Sequence, residues 1–200
     1  MTVLILDTET TGLTPKDQVI ELAYMVLEED TRNLNFTSTF NERFRPIAKI
    51  NPHAQAVHGI AFKDLIRCPS TTTIPLPDKI DYIIGHNISF DKRMLIQSNP
   101  RLTPRLEASK YICTRELARL IGKQFKILYL NNKLDTIIRH HFEDRVQELI
   151  PEHHEALSDC KKCFEYLKVV LELLPALDTW DKIYNFQQLL NKDTYANKTT

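Results

Sequence analysis

Short apolar runs and helix-like periodicities follow one another along this chain. Residues 3–6 are continuously apolar (Val3, Leu4, Ile5, Leu6) and stop at Asp7, the pattern of a buried strand whose C-terminal end meets polar chemistry. Residues 18–27 make a second β-like run, and residues 36–44 a looser third one, ended by Pro46. Asn51-Pro52 reads as a helix start, with Asn as cap and Pro at the first helical position. Residues 69–80, rich in Pro, Ser and Thr, predict a loop. Two further short strands follow, at 82–84, ending on Gly85, and at 111–113. Helices are predicted over 89–97, over 114–121 with Thr114 as cap and Gly122 as stop, and from 132 or 133 to 141. The longest helix is expected over 154–174. There Leu157, Cys160, Phe164, Leu167, Val170 and Leu171 recur at spacings of three and four before Pro175. A last amphipathic helix, about 178–190, would dock through Trp180, Ile183, Tyr184 and Leu190. Strands first, then strands alternating with helices, predict an α/β fold with a central mixed β-sheet flanked by α-helices. One domain would span 1–175, with 176–200 a short helix and polar tail.

Composition narrows the classes without changing that picture. The chain has 200 residues, 42% hydrophobic and 26% charged, which argues against disorder, collagen and coiled coil. No apolar run approaches membrane-spanning length, and residues 1–7 lack the features of a signal peptide. The four cysteines, Cys68, Cys113, Cys160 and Cys163, are too few for a disulfide scaffold, so reduced thiols and a cytoplasmic location are expected. Formal net charge is zero, which in bulk argues against a polyanionic partner. That zero hides a pattern: residues 1–30 carry 1 basic and 7 acidic side chains, whereas residues 92–139 carry 11 and 3.

Three segments carry candidate chemistry. Asp7-Thr8-Glu9 puts two carboxylates on one face of a strand end, where they repel unless one is protonated or a hard divalent cation such as Mg²⁺ or Mn²⁺ lies between them. In Gly85-His86-Asn87-Ile88-Ser89-Phe90-Asp91 a buried strand meets a polar turn, with Asn87 or Ser89 as cap and Asp91 in the first helical turn. In His154-Glu155-Ala156-Leu157-Ser158-Asp159, a histidine just before a helix and an acid inside it can face one cleft. Taken singly, each has a plainer reading as solvated or capping polar residues.

Together, in this order and spacing, the three segments resemble the motif set of the DnaQ-like DEDDh 3′–5′ exonucleases. The resemblance covers about residues 1–174. It extends to Asn51-Pro52 through Ala56-Val57-His58-Gly59-Ile60, and Ile112-Cys113-Thr114 to Leu120 looks like the exonuclease X and polymerase III proofreading-subunit branches. It implies a ribonuclease H-like fold and release of 5′-mononucleotides from a 3′ end. It further implies two Mg²⁺ ions, with Mn²⁺ able to substitute, held by Asp7, Glu9, Asp91 and Asp159, and His154 as general base. Substrate contacts would come from Thr10, Thr11, Leu13, His58 and Phe90, and phosphate contacts from two or three of Lys92, Arg93, Arg101, Arg105, Lys110, Arg115, Arg119, Lys123 and Lys126. The implied partner is nucleic acid with a free 3′ end, single-stranded DNA favoured over RNA. No membrane is involved, and a second copy or a polymerase remains open as partner. Ribonuclease T-like RNA trimming is the alternative, ahead of a non-catalytic binding module.

Other signals read as structure. Cys160-Lys161-Lys162-Cys163 falls inside a predicted helix, where a zinc or redox pair is out of place, so packed thiols are expected. His153 is a neighbour of His154, His140-His141 a helix end, and Gln187-Gln188-Leu189-Leu190 a packing face rather than a sliding-clamp peptide.

Overall fold

A computed structural model describes residues 1–151 and 153–196, with side chains through residue 189. Its centre is a five-stranded sheet in the order β3-β2-β1-β4-β5. β1 (Val3–Thr10) pairs antiparallel with β2 (Val19–Leu27), which pairs antiparallel with β3 (Phe36–Arg43). On its other side β1 runs parallel to β4 (Tyr82–Gly85), and β4 parallel to β5 (Lys110–Cys113). The mixed sheet is the one predicted. β1 continues past its apolar run through Asp7 and Glu9, because β2 pairs with it over its whole length, Val3 opposite Leu27 and Thr10 opposite Val19.

The period-two alternation of β1 sorts its side chains between two cores. Val3 and Ile5 join the larger one, which takes in α5 (Thr114–Phe125), α6 (Leu134–His141), α8 (Ala156–Leu173) and the first turns of α9 (Trp180–Ala196). Leu4 and Leu6 join the other, under α3 (Ser89–Ser98) and α4 (Thr103–Ala108). Asp7 and Glu9 therefore extend the α8 face, and Thr8 the α3 face.

Several boundaries differ from the sequence expectation. α1 (Pro52–His58) begins as expected, with the Asn51 side chain accepting from the His53 amide. α2 (Phe62–Leu65), α4 and α7 (Val146–Leu149) were not predicted, being too short to show a period. Thr114 does not cap α5 but is its first residue, its hydroxyl turned to the Gly85 carbonyl at 3.3 Å. Gly122 does not stop α5. It lies inside the helix, where an added Cβ would meet the Ile127 carbonyl oxygen at 2.9 Å, and Lys126 in the left-handed region (φ 58°) ends the helix. Neither Asn87 nor Ser89 caps α3. Asn87 turns the chain with φ 66° and Ile88 stands at the cap position. α8 starts at Ala156, leaving His154 on the preceding turn.

α9 runs from Trp180 rather than from 178 and continues to Ala196; the Leu190 side chain lies outside the described residues. Trp180 and Ile183 are fully buried. Gln187 covers the open edge of β5, accepting from the Cys113 amide and donating to the Tyr111 carbonyl at 3.2 Å. Among the described residues no helix is long and apolar enough to cross a membrane.

Candidate active site

The acids of the three sequence segments meet at the C-terminal ends of β1 and β4. Asp91, on the first turn of α3, is 3% exposed, and its Oδ1 accepts from the Thr8 amide at 3.1 Å and the Thr8 hydroxyl at 2.7 Å. Thr8 is thus the bridge between the two acids of β1 and the acid of α3. Asp159, one turn into α8, faces Asp7 and Glu9 because α8 packs on β1 through Cys160, whose thiol lies 3.8 Å from the Ile5 carbonyl oxygen. The α8 N-terminus is pinned by buried Glu21 on β2: its Oε2 accepts from the Ala156 amide at 3.1 Å and its Oε1 from Arg43 Nε at 2.9 Å. His154 is held from the other side, its amide donating to the Val57 carbonyl at 3.1 Å, which ties it to α1.

Crowding makes these carboxyls reluctant to ionise. Burial, then the charges of Asp159, Asp91 and Glu9, push Asp7 well above the usual carboxylate range. Asp7 is half-buried, its carboxyl surrounded by protein. Burial, then Asp159, pushes Glu9 up to about 8. Burial pushes Asp91 up to about 7 even though the Thr8 hydrogen bonds favour its charged form. Asp159 behaves oppositely. Burial would raise it, but the hydrogen bond from His154 and the charge of Lys162 outweigh that and hold it below the ordinary value. His154 Nδ1 lies 3.1 Å from Asp159 Oδ2, and this bond lifts the imidazole above its usual value.

Two residues that sequence reasoning missed complete the cluster. Lys162 on α8 is 1% exposed and lies between Asp159 and Asp135, its Nζ 2.7 Å from Asp135 Oδ1. A lysine three residues after Asp159, on a helix face otherwise made of Cys163, Tyr166 and similar groups, was the available signal.

A cleft of about 510 Å³ opens beside the acids, lined by Glu9, Thr10, Leu13, Val57, His58 and Phe90 among others. Leu13, 73% exposed, forms its lip. Arg93 joins the lip to the floor, its guanidinium 5.3 Å from the Phe90 ring centre and 3.4 Å from the Leu13 carbonyl oxygen. His58 is buried, its Nδ1 accepting from the Ile60 amide at 3.0 Å, and burial lowers its proton affinity. Thr10 turns its hydroxyl to the Gly12 carbonyl. Thr11 stands behind the wall rather than in it: it is fully buried, its hydroxyl donates to Asp17, its amide to Gln18, and its carbonyl accepts from Asn51. Two other clefts, of 540 and 550 Å³, border none of these acids.

The remaining singled-out residues are structural. His86 links Thr114 (3.0 Å) to the Asn132 carbonyl (2.8 Å). Cys160 and Cys163 are free, buried thiols, raised well above their usual range by burial. Of the basic stretch, Lys92, Arg105, Lys110 and Arg119 pair with Glu107, Asp78, Asp181 and Glu116. Arg93 and Arg115 instead reach the rim of the site, Arg115 donating to Asn87 Oδ1 at 3.1 Å.

The fold is shared with known nucleases. Exonuclease X, solved with a 5′-overhanging duplex DNA, superposes with a TM-score of 0.67 at 23% identity, over 92% of this chain and 99% of that one. Exonuclease I of E. coli, solved with a dT13 oligonucleotide, gives 0.69 at 16% identity, over 88% of this chain and 42% of its own. Cell-death related nuclease 4 gives 0.65 at 16%, over 86% of this chain and 64% of that one. No curated protein matches the chain by sequence. The exonuclease family model, RNase_T, matches residues 4–167, a span that contains Asp7, Glu9, Asp91, His154 and Asp159 together, and the chain belongs to this family of DnaQ-like 3′–5′ exonucleases.

Proposed function

We propose that this exonuclease removes 5′-mononucleotides from the 3′ ends of DNA, preferring single strands, with Asp7, Glu9, Asp91 and Asp159 holding two Mg²⁺ ions. The observation that carries the reading is the acid cluster itself: Asp7, Glu9, Asp91 and Asp159 lie near enough for their charges to oppose one another's ionisation. Such a cluster serves no core, since repelling buried charges oppose folding. Its donors are all hard oxygens, the set Mg²⁺ and Mn²⁺ prefer. Asp159 Oδ1 is buried against the Lys162 ammonium, so a positive charge already stands at this oxygen where a metal ion would bind. Among the described residues no three such side chains already converge as a metal ion requires, in keeping with Thr8 and Lys162 holding Asp91 and Asp159 aside. Divalent ions held there would neutralise the charge that builds on the phosphoryl and leaving oxygens.

The chain's own residues do the rest. His154, oriented through Nδ1 by Asp159 and open to solvent on one side, takes the proton of the attacking water. Leu13 and Phe90 pack against the last base, a sequence-tolerant contact. Arg93 and Arg115 neutralise phosphates of the incoming strand. The backbone of Thr10 meets the terminal sugar, with His58 beside it and Thr11 stiffening that wall from behind. DNA is favoured because exonuclease X and exonuclease I were each solved on DNA. The four free cysteines fit a reducing cytoplasm.

The test is digestion of 3′-labelled single-stranded DNA and RNA with Mg²⁺, Mn²⁺ or EDTA, beside Asp7→Ala and His154→Ala. DNA trimming that EDTA abolishes and both variants lose is expected. Activity in EDTA, or fully active variants, refutes the mechanism. Faster loss of RNA than DNA reassigns the substrate.

A further inference from the structure

Lys162 belongs to none of the three acid-bearing segments, yet it is one of the most deeply buried side chains of the molecule. Its ammonium makes an ion pair with Asp159 Oδ1 and donates to Asp135 Oδ1 at 2.7 Å. In the contact with Asp159 charge and hydrogen bonding act together. The other oxygen of Asp159, Oδ2, lies 3.1 Å from His154 Nδ1, and His154 Nε2 lies 3.8 Å from Asp135 Oδ2. Lys162, Asp159, His154 and Asp135 thus close a ring in which basic and acidic groups alternate. A buried ammonium is unfavourable unless paired, and an apolar residue usually serves a helix face better. Here one flank of the ammonium is bound to α6 through Asp135, which leaves the other to act on Asp159.

We propose that Lys162 is a resident cation of the active site, a positioning residue that holds Asp159 turned toward His154 and weakens the grip of Asp159 on a divalent ion. The inference rests on the reading in which Asp159 is a metal ligand and His154 the base. Lys162 and a metal ion compete for the same oxygen, so the lysine sets how readily the ion enters and leaves. By filling one oxygen it also presents the other to His154. Removing the ammonium therefore has two opposite consequences. Asp159 gains negative field for a cation, and the Asp159–His154 pair loses its alignment. A lysine that only supported the fold would, on removal, weaken metal binding and activity together.

The experiment compares wild type with Lys162→Met and Lys162→Gln. The glutamine variant keeps a donor for Asp135 without the charge, should the methionine variant fail to fold. Mn²⁺ binding is measured by calorimetry in the absence of nucleic acid, and kcat on 3′-labelled single-stranded DNA at saturating Mn²⁺. Roughly tenfold tighter Mn²⁺ binding with a lowered kcat is expected, from loss of one charge beside the ion. Wild type that binds Mn²⁺ while both variants bind it equally or more weakly overturns the assignment to Lys162 alone. Wild type that binds no Mn²⁺ overturns this inference and the metal reading beneath it.

Discussion

Raising the pH of the metal-free protein from about 6.5 to about 8 should destabilise it, against the behaviour of a protein held together by paired carboxylates. Asp7, Glu9 and Asp91 bind protons more tightly folded than unfolded. Their contribution is present below their unfolded values and is lost as pH rises through the folded ones, about 7 for Asp91 and about 8 for Glu9. His154, also raised, adds a loss of the same sign. Asp159 is lowered, so its contribution fails only in acid, outside the window. His58 and His86 are lowered by burial, and their contribution is already in place above about 6.5. Integrated over the window at 1.36 kcal/mol per unit, Glu9 alone costs about 2 kcal/mol and Asp91 on the order of 1 kcal/mol more. A chain of this size then melts about 7 °C lower at the higher pH. Calorimetric melts in EDTA across the window read this directly. Glu9→Gln should reduce the slope, leaving the part due to Asp7 and Asp91, and Mg²⁺ should abolish it by binding the ionised forms. A flat or rising melting temperature in EDTA, or a wild-type slope in Glu9→Gln, would refute the account of the cluster.

Three further outcomes follow from the same geometry. Asp91→Asn, which keeps a carbonyl to accept from Thr8, should lower kcat at least ~100-fold while raising the melting temperature in EDTA, because it removes one charge from a repelling set. Leu13→Ala should leave stability within ~0.5 kcal/mol, since Leu13 is largely exposed, and raise KM for an oligonucleotide several-fold, checked by melting and steady-state kinetics. Gln187→Ala strips two hydrogen bonds from the edge of β5 and should cost about 2 kcal/mol in urea unfolding without changing the Mg²⁺ dependence of activity.

Local patterns, and the resemblance they supported, carried far. The alternation of residues 3–9 alone puts Asp7 and Glu9 on one face and Thr8 on the other, and that is how β1 meets α8 and α3. Asn51-Pro52 starts a helix because cap and first-turn proline act within a few residues. The misplacements occur where a local preference met a distant constraint. Gly122 looks like a helix stop, but the returning chain at Ile127 needs the space a side chain would take, so the helix runs on. Thr114 looks like a cap, but its hydroxyl is claimed by Gly85 and His86 from the neighbouring strand. Gln187 reads as part of a packing face, but that it packs by hydrogen-bonding the bare edge of β5 shows only in the folded chain.

By itself, then, the sequence determined the strand-and-helix order, the five residues that approach one another at the strand ends, and the family they mark. All of these rest on short-range periodicity or on motifs a few residues long. Only the tertiary structure decided what those acids experience: which are pushed toward the neutral form, which is held ionised, and which cation stands among them. Burial and Coulomb interaction depend on distance in space, and Asp135, His154, Asp159 and Lys162 become neighbours only when α6 and α8 pack face to face against the sheet.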